Sequence, residues 1–338
     1  MTCLMIDIEE LDLKNSDIKR IEHPSVGGII LFARNYKNKL QLKNLIKSIR
    51  KIKKNILIAV DHEGGRVQRF RNQFTEIPDM KKIGKIYQKD RDQAKLIAKL
   101  VGWVIAEELA EIDIDFSFTP VLDIDYDSSS IIGNRAFHKD VNIISQLASA
   151  LIEGLNFGGM QSVGKHFPGH GFIKADTHLE KATDKRSLKI IQNNDMVTFK
   201  NLINEGLKGI MPSHIIYSSC DQNPSGLSRF WIQEQLRGRL NFKGAIFSDD
   251  MTMIAAERFQ DSLTIRVQNA LEAGCDMVLV CNSPNKIDKL IQELKWEINL
   301  ESVKRLELMK LNKKQRQKNS LNFCNYNIKE AQSIITEL

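Results

Sequence analysis

The stretch ILIAVDHEGGRVQR, residues 56–69, changes character at Asp61. Five apolar residues precede this aspartate, and the residues after it include a histidine, a glutamate and two arginines. A short run that is apolar on both faces is typical of a strand in a parallel sheet covered on both sides. Charged side chains directly after such a strand are costly to bury unless they are solvated or paired. The stretch therefore predicts a buried parallel strand that ends in a polar site.

Similar apolar runs alternate with helical periodicity along the chain, as in residues 96–109 and 143–155. We predict eight strands, at residues 3–8, 28–33, 56–61, 114–123, 161–167, 209–215, 244–250 and 276–282. Eight β-then-α units predict an α/β protein with a single (β/α)₈ TIM-type barrel. A doubly wound open sheet is the alternative, but no GxGxxG follows the first strand, which disfavours a dinucleotide-binding version.

The length of 338 residues would also suit two domains, but no Pro/Gly/Ser-rich linker divides the chain. We expect a catalytic barrel over residues 1–300, followed by a basic helical C-terminal tail over residues 301–338 that packs on or beside it. Residues 301–320 carry +5 of the net charge of +7. Aromatic residues are only 7% and are not interleaved with the basic runs, so the charge is weak evidence for a nucleic-acid partner.

The sequence also limits where in the cell the protein is expected. No stretch approaches 18 uncharged apolar residues, so we expect no membrane span. The first residues lack the basic and apolar regions of a signal peptide. Five scattered cysteines with no CxxC argue against a disulfide framework or a zinc ribbon. We therefore expect a cytoplasmic protein with no membrane partner. We also expect a monomer, although none of these features determines the oligomeric state.

Polar residues cluster at the ends of five predicted strands, in AVD, TPVLDID, GKHFPGHG, MPSH and FSDD. In (β/α)₈ barrels the active site lies at the carboxyl ends of the strands, so these residues should share one face. A single case has a simpler explanation: Asp123 is more readily interpreted as a turn residue or helix cap.

Residues 164–180 contain three histidines after the fifth strand, and Pro168 and nearby glycines predict a loop. His166, His170 and His178 could form a zinc site, but the H-x₃-H spacing puts two imidazoles on one face only in a helix. The alternative is a catalytic pair in which Asp176 orients His178 as a proton carrier, since imidazole titrates near neutrality.

The segment GAIFSDDM, residues 244–251, ends the seventh strand with two adjacent carboxylates. Because side chains alternate along a strand, only one of Asp249 and Asp250 can face the barrel axis as a nucleophile. The other is more simply interpreted as a cap of the next helix.

The combination of these motifs resembles a known family, the bacterial β-N-acetylhexosaminidases of glycoside hydrolase family 3, of the NagZ type. The residues that carry the resemblance are VDHEGGRVQR (60–69), IDFSFTPVLD (114–123), IIGNRAF (131–137), GKHFPGHG (164–171), ADTH (175–178), IMPSH (210–214), FSDDM (247–251) and AGCDMVLVCN (273–282). GKHFPGHG followed by DTH, with FSDD further on, is a specific signature.

The resemblance implies a retaining exo-β-N-acetylglucosaminidase that needs no metal or organic cofactor. Its implied substrate is a small amino sugar, the terminal β-1,4-linked GlcNAc of GlcNAc-1,6-anhydro-MurNAc peptides in peptidoglycan recycling. It implies Asp249 as the nucleophile and His178 as the proton donor and acceptor, oriented by Asp176. The implied substrate-binding residues are Asp61, Arg69, Arg135, Lys165 and His166, with His214 as a further residue lining the pocket.

Two alternative functions remain. A histidine acid/base does not repel anions as a carboxylate would, so phosphate could replace water and give a GlcNAc phosphorylase. A non-catalytic sugar-binding or nucleic-acid-binding protein is the alternative from another class. The chain also departs from the family pattern at His62, where many members have Gln, and at Thr177, where Ser is common; an outward-facing His62 would leave the sugar contacts unchanged.

Overall fold

The computed structural model describes residues 2–174, 182–256, 262–319 and 322–338. Eight parallel strands form the central sheet: β1 (Leu4–Asp7), β2 (Val26–Leu31), β3 (Leu57–Val60), β4 (Phe116–Ser117), β5 (Gln161–Phe167), β6 (Gly209–Pro212), β7 (Ala245–Ile246) and β8 (Val278–Val280). Strands β1 to β7 pair in chain order, and β8 pairs with β1 with Met5 opposite Leu279. A parallel bridge between Phe247 and Met277 joins the two remaining edges, which confirms the (β/α)₈ barrel.

The helices lie in the segments that connect the strands and in the chain that follows β8. They are α1 (Asn15–Glu22), α2 (Lys39–Ile52), α3 (Met80–Tyr87), α4 (Arg91–Glu111), α5 (Val141–Phe157), α6 (Leu188–Asn193), α7 (Asp195–Asn204), a π-helical segment (Phe230–Arg239), α8 (Leu263–Ala273), α9 (Pro284–Glu293), α10 (Leu300–Glu307), α11 (Lys313–Lys318) and α12 (Ile328–Thr336). Helix α8 ends where Gly274 adopts a left-handed φ of 116°. No helix in the described part of the chain is long and apolar enough to cross a bilayer.

The fourth and seventh strands are much shorter than the predicted ranges 114–123 and 244–250. Pro120 has no N–H group, so regular pairing stops before it, although Leu122 N still donates to Lys165 O at 2.7 Å. After β7, Ser248 N donates to Met277 O at 2.9 Å outside a regular ladder. Irregular backbone at these carboxyl ends carries the polar side chains that the sequence singled out.

Aromatic rings fill the barrel interior below these polar ends. Phe116, Phe118 and Phe247 are fully buried, and their ring centroids lie 5.2–5.6 Å apart. Two of the three pairs are edge-to-face, an arrangement that adds to the free energy of area burial. This part of the interior is therefore a packed core, on which the polar strand ends rest.

The C-terminal residues contact the opposite, amino-terminal end of the barrel. The buried Asp276 carboxylate accepts hydrogen bonds from Ser302 Oγ at 2.6 Å and from Arg305 Nη1 at 2.9 Å. Leu306 and Met309 are buried in the same hydrophobic core as the strands. Helix α12 packs on α4. The division of the chain at residue 300 stays a prediction.

Candidate active site

A cleft of about 340 Å³ opens at the carboxyl ends of the strands. Six residues predicted from the sequence line it together: Asp61, Arg69, Arg135, Lys165, His166 and Asp249. They come from the ends of β3, β5 and β7 and from the two connecting segments that follow β3 and β4. The convergence of polar ends that the strand pattern predicted is therefore present in the fold.

Asp61 lies between two cations of the cleft. Lys165 Nζ is 2.9 Å from Asp61 Oδ1, and Arg69 Nη2 is 3.2 Å from Asp61 Oδ2. Burial disfavours the charged carboxylate, but Lys165 and Arg69 outweigh it and hold the pKa of Asp61 well below its ordinary value. The group is therefore an ionised acceptor, fixed in place before any ligand arrives.

Glu63, which sequence reasoning did not select as a site residue, holds two cations of the same cleft. Arg135 Nε and Nη2 donate to its two oxygens at 2.9 and 2.8 Å, and Lys165 Nζ is 2.5 Å from Oε1. Burial opposes ionisation, but Arg135 and Lys165 lower the pKa of Glu63 to about 2. Its position could have indicated it from the sequence. Glu63 is a charged residue in the short hairpin that follows β3, in which His62–Gly64 pairs with Val67–Gln68.

Asp123 is buried and holds the polypeptide around His166. Its Oδ2 lies 2.7 Å from His166 Nδ1, and its Oδ1 accepts from the backbone N–H groups of His170 at 2.7 Å and His166 at 3.3 Å. Because a carboxylate accepts, Nδ1 carries the proton and Nε2 is left as an acceptor, 3.4 Å from Arg135 Nη2. The simpler interpretation of Asp123 as a turn residue or cap is wrong, because its partners are distant in sequence.

His170 follows His166 but is buried behind it, with ring centroids 5.6 Å apart. Burial, and then the neighbouring His166, lowers the pKa of His170 to about 4, so the ring is neutral at physiological pH. Within the described ranges, no group of three His, Cys, Asp or Glu side chains is arranged to hold a metal ion.

The two adjacent aspartates after β7 have different surroundings. Asp249 lines the cleft, and its Oδ1 accepts from the backbone N–H of Asp250 at 2.8 Å. Asp250 accepts from Thr252 N at 2.9 Å and from Cys281 N at 3.1 Å, and burial raises its pKa to about 6. Both aspartates line the cleft, but these contacts of Asp250 are those of a turn residue, which favours Asp249 as the carboxylate that meets a ligand.

Two predicted or suspected residues point elsewhere. His214 is buried, and its Nε2 donates to the backbone oxygen of Asp250 at 3.0 Å, so it contacts the backbone behind Asp249 and is not among the side chains that line the cleft. His62 is directed away from the cleft as expected, but into a cluster with Phe70 and Phe74, with ring centroids 6.0 and 5.7 Å away. Burial lowers the pKa of His62 to about 3.

The proposed acid/base pair, Asp176 and His178, lies outside the described residues, as does Thr177. The described chain enters this segment from β5 through Ile173 and leaves it at the short strand Thr183–Asp184. That strand pairs in parallel with Ile216–Tyr217. The roles of both catalytic residues stay predictions.

Residues 4–313 match the family described as the glycosyl hydrolase family 3 N terminal domain. A β-hexosaminidase of Methylobacillus flagellatus is 51% identical over 307 residues, which is 90% of this chain and 88% of that protein. A β-hexosaminidase of Nitrosomonas eutropha is 48% identical over 91% of this chain and 88% of its own length.

A solved structure with the same fold is that of NagZ from Neisseria gonorrhoeae in complex with N-trifluoroacetyl-D-glucosamine. It is 40% identical, has a TM-score of 0.92, and the match covers 99% of this chain and 97% of that one.

Proposed function

Because the chain belongs to glycosyl hydrolase family 3 and is a β-N-acetylhexosaminidase, we propose that it releases terminal β-1,4-linked GlcNAc from GlcNAc-1,6-anhydro-MurNAc peptides. We propose a retaining mechanism through a covalent glycosyl-enzyme, as part of peptidoglycan recycling in the cytoplasm. The complex of the gonococcal relative with an N-acylated glucosamine supports a sugar of this class as the ligand.

One observation carries the proposal: Asp249 faces the same cleft as the fixed charges of Asp61, Lys165 and Arg135. A retaining glycosidase needs a carboxylate beside the anomeric carbon and polar groups that fix the sugar ring. Asp61 would accept hydrogen bonds from sugar hydroxyls, and the Lys165 and Arg135 cations would donate to sugar oxygens.

In the first step the Asp249 carboxylate attacks the anomeric carbon, and the glycosidic C–O bond breaks as protonated His178 gives its proton to the leaving oxygen. In the second step neutral His178 takes a proton from water, which attacks the glycosyl-enzyme and releases the sugar and the Asp249 carboxylate. Asp176 would orient His178 and stabilise the imidazolium. The pair replaces the second carboxylic acid of the usual two-carboxylate arrangement.

The test is product analysis by mass spectrometry after incubation with a GlcNAc-1,6-anhydro-MurNAc peptide in phosphate buffer. We expect free GlcNAc, first released as the β-anomer by NMR, because water attacks the intermediate from the original side. GlcNAc 1-phosphate as the main product would instead support the phosphorylase alternative. An α-anomer as first product would contradict retention.

The nucleophile is tested with a chromogenic N-acetyl-β-glucosaminide. We expect Asp249→Ala to lower kcat/KM by at least about 1,000-fold, because the covalent step is lost. Asp12→Ala, at an exposed carboxylate that is not among the described residues lining the cleft, is the matched control and should keep full activity. Unchanged turnover in Asp249→Ala would overturn the assignment.

We also propose that the protein acts as a monomer and without a membrane partner. All five cysteines are free thiols, which suits a reducing compartment. Light scattering after size exclusion should give the mass of one chain, and cell fractionation should recover the protein with the cytoplasmic fraction. A dimer mass, or recovery with membranes, would contradict this part of the proposal.

A further inference from the structure

Arg186 uses both edges of its guanidinium group to hold two buried carboxylates. Nε and Nη2 donate to Asp184 Oδ2 at 2.9 and 2.7 Å, and Nη1 and Nη2 donate to Asp195 at 2.9 and 3.2 Å. The side chains of Asp184 and Asp195 are almost completely buried, and that of Arg186 is 11% exposed. Arg186 Nη1 also donates to Tyr126 Oη at 3.1 Å.

The same guanidinium group contacts the segment that leaves β5. Its Cζ atom lies 4.1 Å from the centroid of the Phe172 ring, a cation–π contact, and Phe172 packs edge-on against Tyr126 at 5.5 Å. Ser128 Oγ lies 3.3 Å from Gly171 O and 3.2 Å from Phe172 O. Phe172 therefore contacts both Arg186 and the 126–128 segment, although the residue is 42% exposed.

One carboxylate of this cluster, that of Asp195, also packs against the GKHFPGHG motif of the candidate active site. A side chain at Gly169 would collide with Asp195, because an added Cβ would lie 2.6 Å from the Asp195 Cβ. The carbonyl oxygen of Gly169 accepts from Tyr217 Oη at 2.6 Å, and Tyr217 belongs to the strand that pairs with Thr183–Asp184. The cluster is thus continuous with the backbone that places His166.

We propose that Arg186 is a positioning residue for the acid/base step. In the chain, the segment with Asp176 and His178 lies between Phe172 and Asp184, and Arg186 contacts both of these flanking residues. Arg186 therefore fixes the two ends of that segment relative to each other. The inference rests on the proposed function, because it gives Arg186 an effect on catalysis only through His178.

This arrangement requires arginine. A planar guanidinium group can serve two carboxylates along two edges while an aromatic ring stacks on its face, whereas a lysine ammonium is a point charge that cannot do all three. Replacement should loosen the flanking residues and lower the efficiency of proton transfer to the leaving oxygen.

The test compares kcat/KM for two N-acetyl-β-glucosaminides, one with phenol and one with 2,4-dinitrophenol as the leaving group. The phenyl substrate depends on proton donation, and the dinitrophenyl substrate scarcely does, so their ratio measures acid catalysis. For Arg186→Met we expect kcat/KM to fall at least about 10-fold more for the phenyl substrate. Arg186→Lys, which keeps the charge, should show the same preference to a smaller degree.

A purely structural role would reduce both substrates equally, because it lowers the fraction of folded enzyme, and that result would overturn the inference. Arg20→Met is the matched control. Arg20 is likewise buried and binds both oxygens of Asp288 at 2.7 and 2.8 Å and Glu9 at 2.7 Å, but it is not among the described residues that line the cleft. We expect equal effects on both substrates in this variant.

His178→Ala separates the inference from the proposed function. If His178→Ala shows a leaving-group preference and neither Arg186 variant does, the inference is overturned and the proposed function stands. The absence of any preference in His178→Ala overturns the proposed acid/base role, and the inference with it.

Discussion

Arg135 binds the buried carboxylate of Glu63 through two parallel hydrogen bonds of 2.9 and 2.8 Å. Lys165 contacts the same carboxylate at 2.5 Å, so Glu63 aligns two of the cations assigned to sugar binding. A bidentate pair of this kind fixes the direction of the guanidinium group as well as its position. The cleft is therefore ordered by a residue that need not touch the sugar itself.

Replacing Glu63 by Gln should affect both stability and binding. Removing one partner from a buried ion pair leaves charge uncompensated, so we expect the free energy of unfolding to fall by about 3 kcal/mol. We also expect KM for a chromogenic N-acetylglucosaminide to rise at least about 10-fold, because Arg135 and Lys165 lose their common anchor. Urea unfolding and steady-state kinetics measure the two effects.

Glu76→Gln is the matched control for Glu63, since Glu76 is 81% exposed and pairs with Arg71 at the surface. It should change stability by less than about 1 kcal/mol and leave KM unaltered. If Glu63→Gln behaved in the same way, the anchoring role of Glu63 would be wrong.

Asp123→Asn should impair binding through His166. The Asn oxygen can still accept from the backbone of His170, but its NH₂ group facing Nδ1 favours the opposite imidazole tautomer, which turns Nε2 into a donor. We expect KM to rise by about 10- to 100-fold, the equivalent of one lost hydrogen bond to a charged group. Nitrogen NMR shifts of His166 should report the tautomer.

Asp125→Asn is the control for this prediction, because Asp125 lies two residues away and pairs with Lys81 at 2.6 Å outside the cleft. We expect it to change stability without changing KM. An unchanged KM in Asp123→Asn would contradict the assigned role of this carboxylate.

His62 should make the protein sensitive to acid. Its pKa is about 3 when folded, against an ordinary value of about 6.5, so below pH 6.5 the unfolded chain binds a proton that the folded chain excludes. Stability is therefore lost as the pH falls from about 6.5 toward 3. At about pH 5 the loss due to His62 should be about 2 kcal/mol.

His62→Gln should remove this loss, so the difference in unfolding free energy between the variant and the parent should shift by about 2 kcal/mol in favour of the variant between about pH 7 and pH 5. Urea titrations at both pH values measure it. His138→Gln, at a partly buried histidine outside this aromatic cluster, is the comparison. A pH-independent difference for His62→Gln would refute the proposed cause.

Arg305→Met should destabilise the barrel without changing its catalysis. Asp276 is buried at the end of the barrel opposite the cleft and accepts from Arg237, Arg305 and Ser302 at 2.9, 2.9 and 2.6 Å. Loss of one hydrogen bond to this charge should cost about 2 kcal/mol of unfolding free energy, while kcat/KM stays the same. Lys304→Met, at an exposed neighbour, should have little effect.

The sequence was sufficient to place all eight strands, because strands buried on both faces leave long apolar runs. It could not give the lengths of β4 and β7, where pairing depends on the neighbouring strands. Six residues that line the cleft, from Asp61 to Asp249, could be selected from strand ends and family motifs. Glu63 was missed and Asp123 was misinterpreted, because the role of each depends on a partner distant in sequence. These partners are Arg135 for Glu63 and His166 for Asp123.

The pairing of β1 with β8 has a consequence for biosynthesis. On the ribosome, the edge of β1 that will receive Leu279 opposite Met5 stays unpaired until nearly the whole chain has been made. Exposed strand edges are templates for association with other chains. In the nascent protein this edge must therefore be covered by other groups, or the barrel must close late. Prematurely terminated chains that end before β8 should aggregate even though most of their residues are present.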